Sequence, residues 1–499
     1  MSDGQELSVE EVANAMYELV REFHGKKNLK PIDLTKAMMQ KFGDERCSKT
    51  TCKQAIRELI DGGRCIYSYV GGVRWDRPMG VDKMGVPRVI VAGLSGDSGK
   101  TFVTLGILRA LVRRGLPVAG FKKGPDFIDA AWIGRASGRP GRNLDTFFMD
   151  SAALLSTLQR GSMGTRVAVI EGNRGLFDGL DPQGSHSTAE LAKTLRTPVV
   201  LVVNTTKTTR TVAALVAGCR ALDPDLDLQG VILNRVATCR QEQVIRQAVL
   251  DATGLEVLGA VPRLDETGLI SRHLGLVTVD EEDRDDDVLD RLADLMEKHV
   301  DIDRLLGVAA TARPLEHAEI RRGSPRTGHR VRVGVLRDRA FSFYYQENLE
   351  LLEEAGAQLV PVSPLETDEL PEIDALYAGG GFPEVYARRL SENRAFRDSL
   401  RRRAEEGLPI WAECGGLMYL ARTLRWGQES FPMVGALPID IEQMKRPQGH
   451  GYVEGEVEAA NPFLKPGTRL RGHEFHYSRT SSETDLQTVL IRAASGGAG

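Results

Sequence analysis

Between residues 86 and 300 the chain alternates short apolar runs, rich in valine and isoleucine, with longer stretches in which apolar residues recur every three to four positions. The runs Val89 to Ala92, Pro117 to Phe121, Val167 to Ile170, Pro198 to Val203, Leu228 to Leu233 and Val257 to Val261 read as strands, and the stretches near 101–115, 150–160, 188–196, 209–221 and 241–252 as helices. Unbroken apolar strands separated by helices predict a doubly wound parallel sheet, an α/β unit whose ligands gather at the carboxyl ends of its strands. A second α/β pattern begins at HRVRVGVLRD and fills residues 331–499, after a stretch at 301–330 that reads as a linker with one short helix. The first eighty residues differ. Val9, Val12, Met16, Leu19 and Val20 fall on one face of a helix capped by Ser8, two further helices follow near 31–41 and 48–60, and RCIYSYVGGVRWDRP predicts a hairpin about Gly71 and Gly72. Three helices and a hairpin predict a small winged-helix (α+β) domain over 1–80, joined by a Pro/Gly-containing linker at 78–87 to the unit at 86–300.

The polar residues that interrupt these patterns carry the candidate chemistry. Behind the first strand stands GLSGDSGKT, where Gly93, Ser95, Gly96 and Gly99 leave backbone N–H groups free to converge on phosphate oxygens. Lys100 adds a cation and Thr101 a hydroxyl for Mg²⁺, so the stretch reads as an ATP-type phosphate loop. Leu94 occupies the usual place of the first glycine, which makes the loop one residue longer and similar to that of dethiobiotin synthetase and its relatives. The second strand runs into KKGPDFIDA, with Lys122, Asp126 and Asp129, and the third ends in EGNRGLFDG, with Glu171 and Asp178. A carboxylate directly behind an apolar strand is costly unless paired or cation-bound, which makes Glu171 a candidate Mg²⁺ ligand. Asp126 and Asp129 sit three apart in a Gly-Pro-led turn and could share a cavity or cap local N–H groups, and Asn234 could meet the nucleotide base.

In the second unit, Cys414 ends an apolar strand and is followed by Gly415, Gly416 and a helix, a sharp elbow that exposes a nucleophile and stabilises its thiolate. Gly379, Gly380 and Gly381 have the glycine density of an oxyanion cradle, and RGHEFHYSR supplies His473 and His476, of which one could act as base.

Composition narrows the classes. Hydrophobic residues at 41% and charged residues at 27% are ordinary for a globular protein, and a formal charge of −4 gives no basic balance for wholesale nucleic-acid binding. Six cysteines without a CxxC pair favour a reducing cytoplasm, and no apolar run approaches the length of a membrane helix. Lys49, Lys53 and Arg57 on the third helix could enter a DNA groove, but a solvated face that meets another protein explains them better.

GLSGDSGKT, FKKGPDFIDA, NLDTFFM, EGNRGLFDG, STAELAKTL, GVILNRV, RHLGLV, RDRAFSFYYQENLELLEEAGA, GGGFPE, AECGGLMYL and LRGHEFHYSR, in that order over about residues 88–480, resemble the glutamine-dependent cobyrinate a,c-diamide synthase family. The resemblance implies a dethiobiotin-synthetase-like P-loop ATP domain joined to a class I glutamine amidotransferase domain, acting as a cytoplasmic homodimer without a membrane. ATP and Mg²⁺ would convert a peripheral acetate carboxylate of a tetrapyrrole into an acyl phosphate, and ammonia from L-glutamine would displace the phosphate. Cys414 corresponds to the glutaminase nucleophile, His476 to its base, Gly379 to Gly381 to the oxyanion site, Lys100 and Thr101 to the phosphate and Mg²⁺ holders, and Asp126, Asp129 and Glu171 to the synthetase site. Lys122-Lys123 and Asn173-Arg174 depart from the family pattern by added cations, which favours a more polyanionic macrocycle. The N-terminal stretch ELIDGGRCIYSY is similar to the DsrD-type winged-helix proteins of dissimilatory sulfite reduction, which makes sirohaem the alternative acceptor. An ATP-dependent regulator that holds DNA through the winged helix is the non-enzymatic alternative, and it leaves Cys414 and His476 idle. The chain closes on GGAG about twenty residues past His476, without a further histidine-bearing strand.

Overall fold

The computed structural model describes residues 7–22, 31–43, 46–61, 67–69, 73–75, 83–263, 285–316, 330–458, 463–482 and 490–493. At the N-terminus α1 (Val9–Glu22), α2 (Pro31–Phe42) and α3 (Lys49–Asp61) bury Val12, Met16, Leu34, Met38, Ile56 and Leu59 against one another. Lys49, Lys53 and Arg57 stand exposed on α3. The strands β1 (Tyr67–Tyr69) and β2 (Val73–Trp75) pair antiparallel, while the Gly71-Gly72 turn and the RHLGLV stretch lie outside the described residues.

After β3 (Lys83–Met84), the alternating pattern becomes β4 (Arg88–Gly93), β5 (Val118–Lys123), β6 (Arg142–Leu144), β7 (Val167–Glu171), β8 (Val199–Asn204), β9 (Leu228–Val236) and β10 (Val257–Pro262). They form one seven-stranded sheet in the order β10-β9-β8-β4-β7-β5-β6, and every pairing is parallel. The phosphate-loop strand β4 is therefore central, and the order doubles back there, so the carboxyl ends of β4 and β7 open the crevice where such sheets take ligands. One face buries Ile90, Phe121 and Ile170. The other buries Val91, Val118 and Val169 beneath α4 (Lys100–Arg113) and the helix Asp285–His299. The helix Ile302–Ala310 buries Ile302, Leu305 and Ala309 in this second cluster, so the stretch expected as linker adds a layer to the first unit.

The second unit holds a four-stranded parallel sheet, β13 (Gln358–Val362), β12 (Arg332–Leu336), β14 (Ala375–Ala378) and β15 (Ile410–Ala412) in that order, with its own core around Leu336, Ala378, Leu400 and Tyr419. Two further sheets complete it. One contains β18 (Ile439–Gln443) and β21 (Ser478–Ser482), and the other is an antiparallel hairpin of β19 (Gly449–Glu456) and β20 (Arg469–His476) edged by β22 (Leu490–Ala493). No helix among the described residues is long and apolar enough to cross a membrane.

Candidate active site

The turn after β4 is shaped by close approaches. A Cβ on Gly93 would lie 1.9 Å from the Ser98 hydroxyl, and one on Gly99, at φ +86°, would lie 2.1 Å from the Asn234 amide, whereas Gly96 faces open space. Asn234 donates to the Ser98 carbonyl at 2.9 Å and its Oδ1 accepts the Arg235 N–H. The amide nitrogen thus braces the loop, where the sequence suggested a partner for the base, and the oxygen fixes its own turn. Ser95 stands in extended backbone ahead of the short 3-10 turn Gly96–Ser98 and lends its carbonyl to the Ser98 hydroxyl at 2.8 Å.

Beyond the loop, parallel pairing sets Lys122 beside Glu171. Both side chains point to the α4 face, because alternation places Phe121 and Ile170 on the other. Lys122 Nζ lies 2.5 Å from Asp129 Oδ2 and 2.8 Å from Glu171 Oε1. Burial alone would strip this lysine of its proton, but Asp129, Glu171 and Asp126 outweigh it and raise its pKa. Glu171 is fully buried, and burial together with Asp129 raises its pKa against the pull of Lys122 and Thr101. KKGPDFIDA is not a simple turn: α5 (Phe127–Ser137) starts inside it, and Asp126 caps that helix by accepting the Asp129 N–H at 2.8 Å. Asp129 is thereby free to turn to Lys122. Lys100, 6% exposed, is held near the Gly96 carbonyl, and its pKa is lowered by burial and by the Lys122 charge.

This corner fits a phosphate-bound divalent cation. Thr101 donates to Glu171 Oε1 at 2.5 Å, and Glu171 Oε2 is buried without a partner among the described residues, an orphan that a hard cation would satisfy.

In the second unit Cys414 sits between β15 and the short helix Gly415–Leu420 at φ 45°, ψ −106°, the strained backbone of a nucleophile elbow. A Cβ on Gly416 would lie 2.1 Å from the Ala378 carbonyl oxygen, so only glycine lets the elbow close there, and one on Gly415 would be tight at 3.0 Å from the Gly381 nitrogen. The expected oxyanion cradle narrows. The Gly379 N–H is spent on the Tyr344 hydroxyl at 2.8 Å, while the N–H groups of Gly381 and Gly415 are directed at the sulfur. The thiolate is not favoured as expected: surrounding protein and the carboxylates of Glu384 and Glu413 raise the thiol pKa beyond what those two N–H groups return. Glu384 has a buried oxygen without a partner among the described residues, and burial raises its own pKa.

Neither imidazole of RGHEFHYSR bonds the sulfur among the described residues. His476, at the end of β20, has Nδ1 2.9 Å from the Ser478 carbonyl. A carbonyl only accepts, so Nδ1 carries the proton and Nε2 is left basic. His473 packs against Tyr452 and, by burial, is lowered to about 4, so it is neutral at physiological pH. Sequence reasoning missed Tyr344 and Glu384, although FSFYYQ and GGGFPE were in view, because what they touch comes from distant segments.

The two units meet over the mouths of both sites. Phe127, next to Asp126, stacks on Phe343 at 5.2 Å and on Tyr345 at 4.4 Å, and Phe343 meets Phe382, which follows Gly381. The Tyr345 hydroxyl donates to the Pro125 carbonyl at 3.0 Å, and that of Tyr452 to Asp145 Oδ2 at 2.6 Å. Arg142 pairs with Glu347 and Glu350, and Arg160 with Glu354.

Residues 89–277 match the CobQ/CobB/MinD/ParA nucleotide binding domain family, and residues 332–498 the CobB/CobQ-like glutamine amidotransferase domain family. Neither family covers the residues before 89. A cobyrinate a,c-diamide synthase of Magnetococcus marinus is 44% identical over 401 residues, spanning 79% of this chain and 86% of its own. Relatives of the same name from Archaeoglobus fulgidus and Methanothermobacter thermautotrophicus are 44% and 41% identical over 79% of this chain, and are covered over 86% and 87% of their lengths.

Proposed function

The chain belongs to the cobyrinate a,c-diamide synthase family, ATP-dependent glutamine amidotransferases, and from that premise we propose that it amidates peripheral acetate carboxylates of a tetrapyrrole, cobyrinate or alternatively sirohaem. The carrying observation is the seam between the units: Phe127 follows Asp126, which caps the helix whose Asp129 joins the Lys122–Glu171 pair, and Phe343, stacked on Phe127, bonds the glycine cradle beside Cys414.

Deprotonated Cys414 attacks the side-chain amide carbon of L-glutamine, Gly381 and Gly415 hold the oxyanion, ammonia leaves, and water hydrolyses the glutamyl thioester. His476 is the proposed base through Nε2. A carboxylate resists ammonia until its oxygen becomes a good leaving group. In the first unit an acceptor carboxylate oxygen takes the γ-phosphoryl group of ATP, ADP departs, and ammonia then attacks the acyl carbon and expels phosphate. Lys100 and the loop N–H groups hold the phosphates. Thr101 and Glu171 would hold Mg²⁺, which when bound neutralises phosphate charge. Lys122, kept protonated by its carboxylates, orients the acceptor end. The ring seam supports a dry transfer, because ammonia in bulk water near neutral pH is mostly protonated and no longer nucleophilic.

The test is to incubate the chain with ATP, glutamine and either macrocycle and weigh the products; each amide formed lowers the mass by about one dalton. Cys414→Ser should abolish amidation from glutamine and retain it from added ammonia. Continued glutamine consumption by that variant would refute the assignment.

A further inference from the structure

Of the two lysines that end β5, only Lys122 is paired. Lys123 points to the opposite face of the sheet, is 3% exposed, and makes no hydrogen bond or ion pair among the described residues. The two carboxylates that act on its charge bond to other groups: Asp145 accepts the Phe147 N–H and the Tyr452 hydroxyl, and Glu190 accepts the His186 N–H. Arg174, in the loop after β7, is exposed, stands at φ 47°, and likewise has no bonded partner among the described residues. The two loops touch, since a Cβ on Gly124 would lie 2.8 Å from the Asn173 amide. Lys123 loses proton affinity mainly by burial, with Lys122 and Arg174 adding to the loss and Asp145 and Glu190 opposing it. Arg174 also lowers the proton affinity of His473 on β20, so its charge reaches the second unit.

A lysine 3% exposed with no hydrogen bond or ion pair among the described residues is costly to keep charged unless an anion visits it, and the exposed Arg174 guanidinium, on a loop that touches its own, can close on the same anion. We propose that Lys123 and Arg174 form a cationic subsite for a second carboxylate of the acceptor, one that is not being activated, on the sheet face opposite Lys122 and Glu171. The inference rests on the functional reading above and deepens it. The acceptor must then be a polycarboxylate, and its non-reacting acid groups decide how it is gripped, because charge-assisted contacts to ammonium and guanidinium discriminate strongly against uncharged analogues.

The test titrates the full chain with cobyrinate and with sirohaem, each as free acid and as peripheral methyl ester, following macrocycle absorbance. Lys123→Met and Arg174→Gln should each weaken binding of the free acid about tenfold or more, and should bind the ester as wild type does. Affinities for the free acid within twofold of wild type, or an equal loss on the ester, would overturn the subsite. If Lys123→Met does not fold, Arg174→Gln, an exposed position, decides alone. A wild-type chain that binds neither macrocycle would instead overturn the functional reading beneath the proposal.

Discussion

A thiol must shed its proton before it attacks an amide carbon, and the surroundings of Cys414 resist that loss. Although Cys414 is exposed to solvent at the turn, the protein packed around its sulfur first, then the Glu384 carboxylate, raise the thiol pKa, while the Gly381 and Gly415 N–H groups offset only part of it. Raising the pKa means that the thiolate fraction is small at neutral pH and grows as pH rises. Glutamine hydrolysis measured by glutamate release, without ATP or acceptor, should therefore still be climbing above about pH 8.5, the ordinary thiol value. A plateau already reached near pH 7 would mean a depressed thiol pKa. His473, lowered to about 4, stays neutral over that range and adds no slope. The residue-level reading of the sequence works where chemistry is local: Thr101 lies in the loop motif beside Glu171 and Cys414 at a strand-to-helix turn, each read from contiguous residues. It failed where partners are distant: Lys122 finds Glu171 forty-nine positions away only through parallel pairing, and Tyr452 finds Asp145 across 307.

At the level of elements, short turns carry the strain. The elbow holds Cys414 at φ 45°, ψ −106°, a conformation glycine adopts freely and alanine does not. Of two variants that both lack the nucleophile, Cys414→Gly should be more stable than Cys414→Ala by about 1 kcal/mol, the relief of strain exceeding glycine's larger unfolded-state entropy. Urea midpoints of the pair check this, and the reverse order would mean that the elbow is relaxed. The six apolar strands were legible because each is long and unbroken. The strand Arg142–Leu144 and the helix Phe127–Ser137 were not, the first because three residues carry no period and the second because its Gly-Pro entry resembles a turn.

At the scale of the whole molecule, the contact between the two α/β units is built, among the described residues, from arginine–carboxylate pairs and stacked rings. Arg142, 7% exposed, reaches both Glu347 and Glu350. Its removal leaves those carboxylates without their counter-charge and should loosen the seam more than it loosens either core. Arg142→Ala is expected to release more than one glutamate per amide formed, against a ratio near one for wild type, with ammonia-dependent amidation less affected. An unchanged ratio would show that the pairs do not govern transfer.

A joint of this kind also ties thrift to surroundings. Charge pairs as buried as these are screened only in part by salt, whose Debye length is about 8 Å at physiological ionic strength, while ring stacking hardly responds at all. The fraction of donor nitrogen that reaches product should then fall as the medium becomes more saline, so that osmotic stress squanders glutamine before it silences either half-reaction.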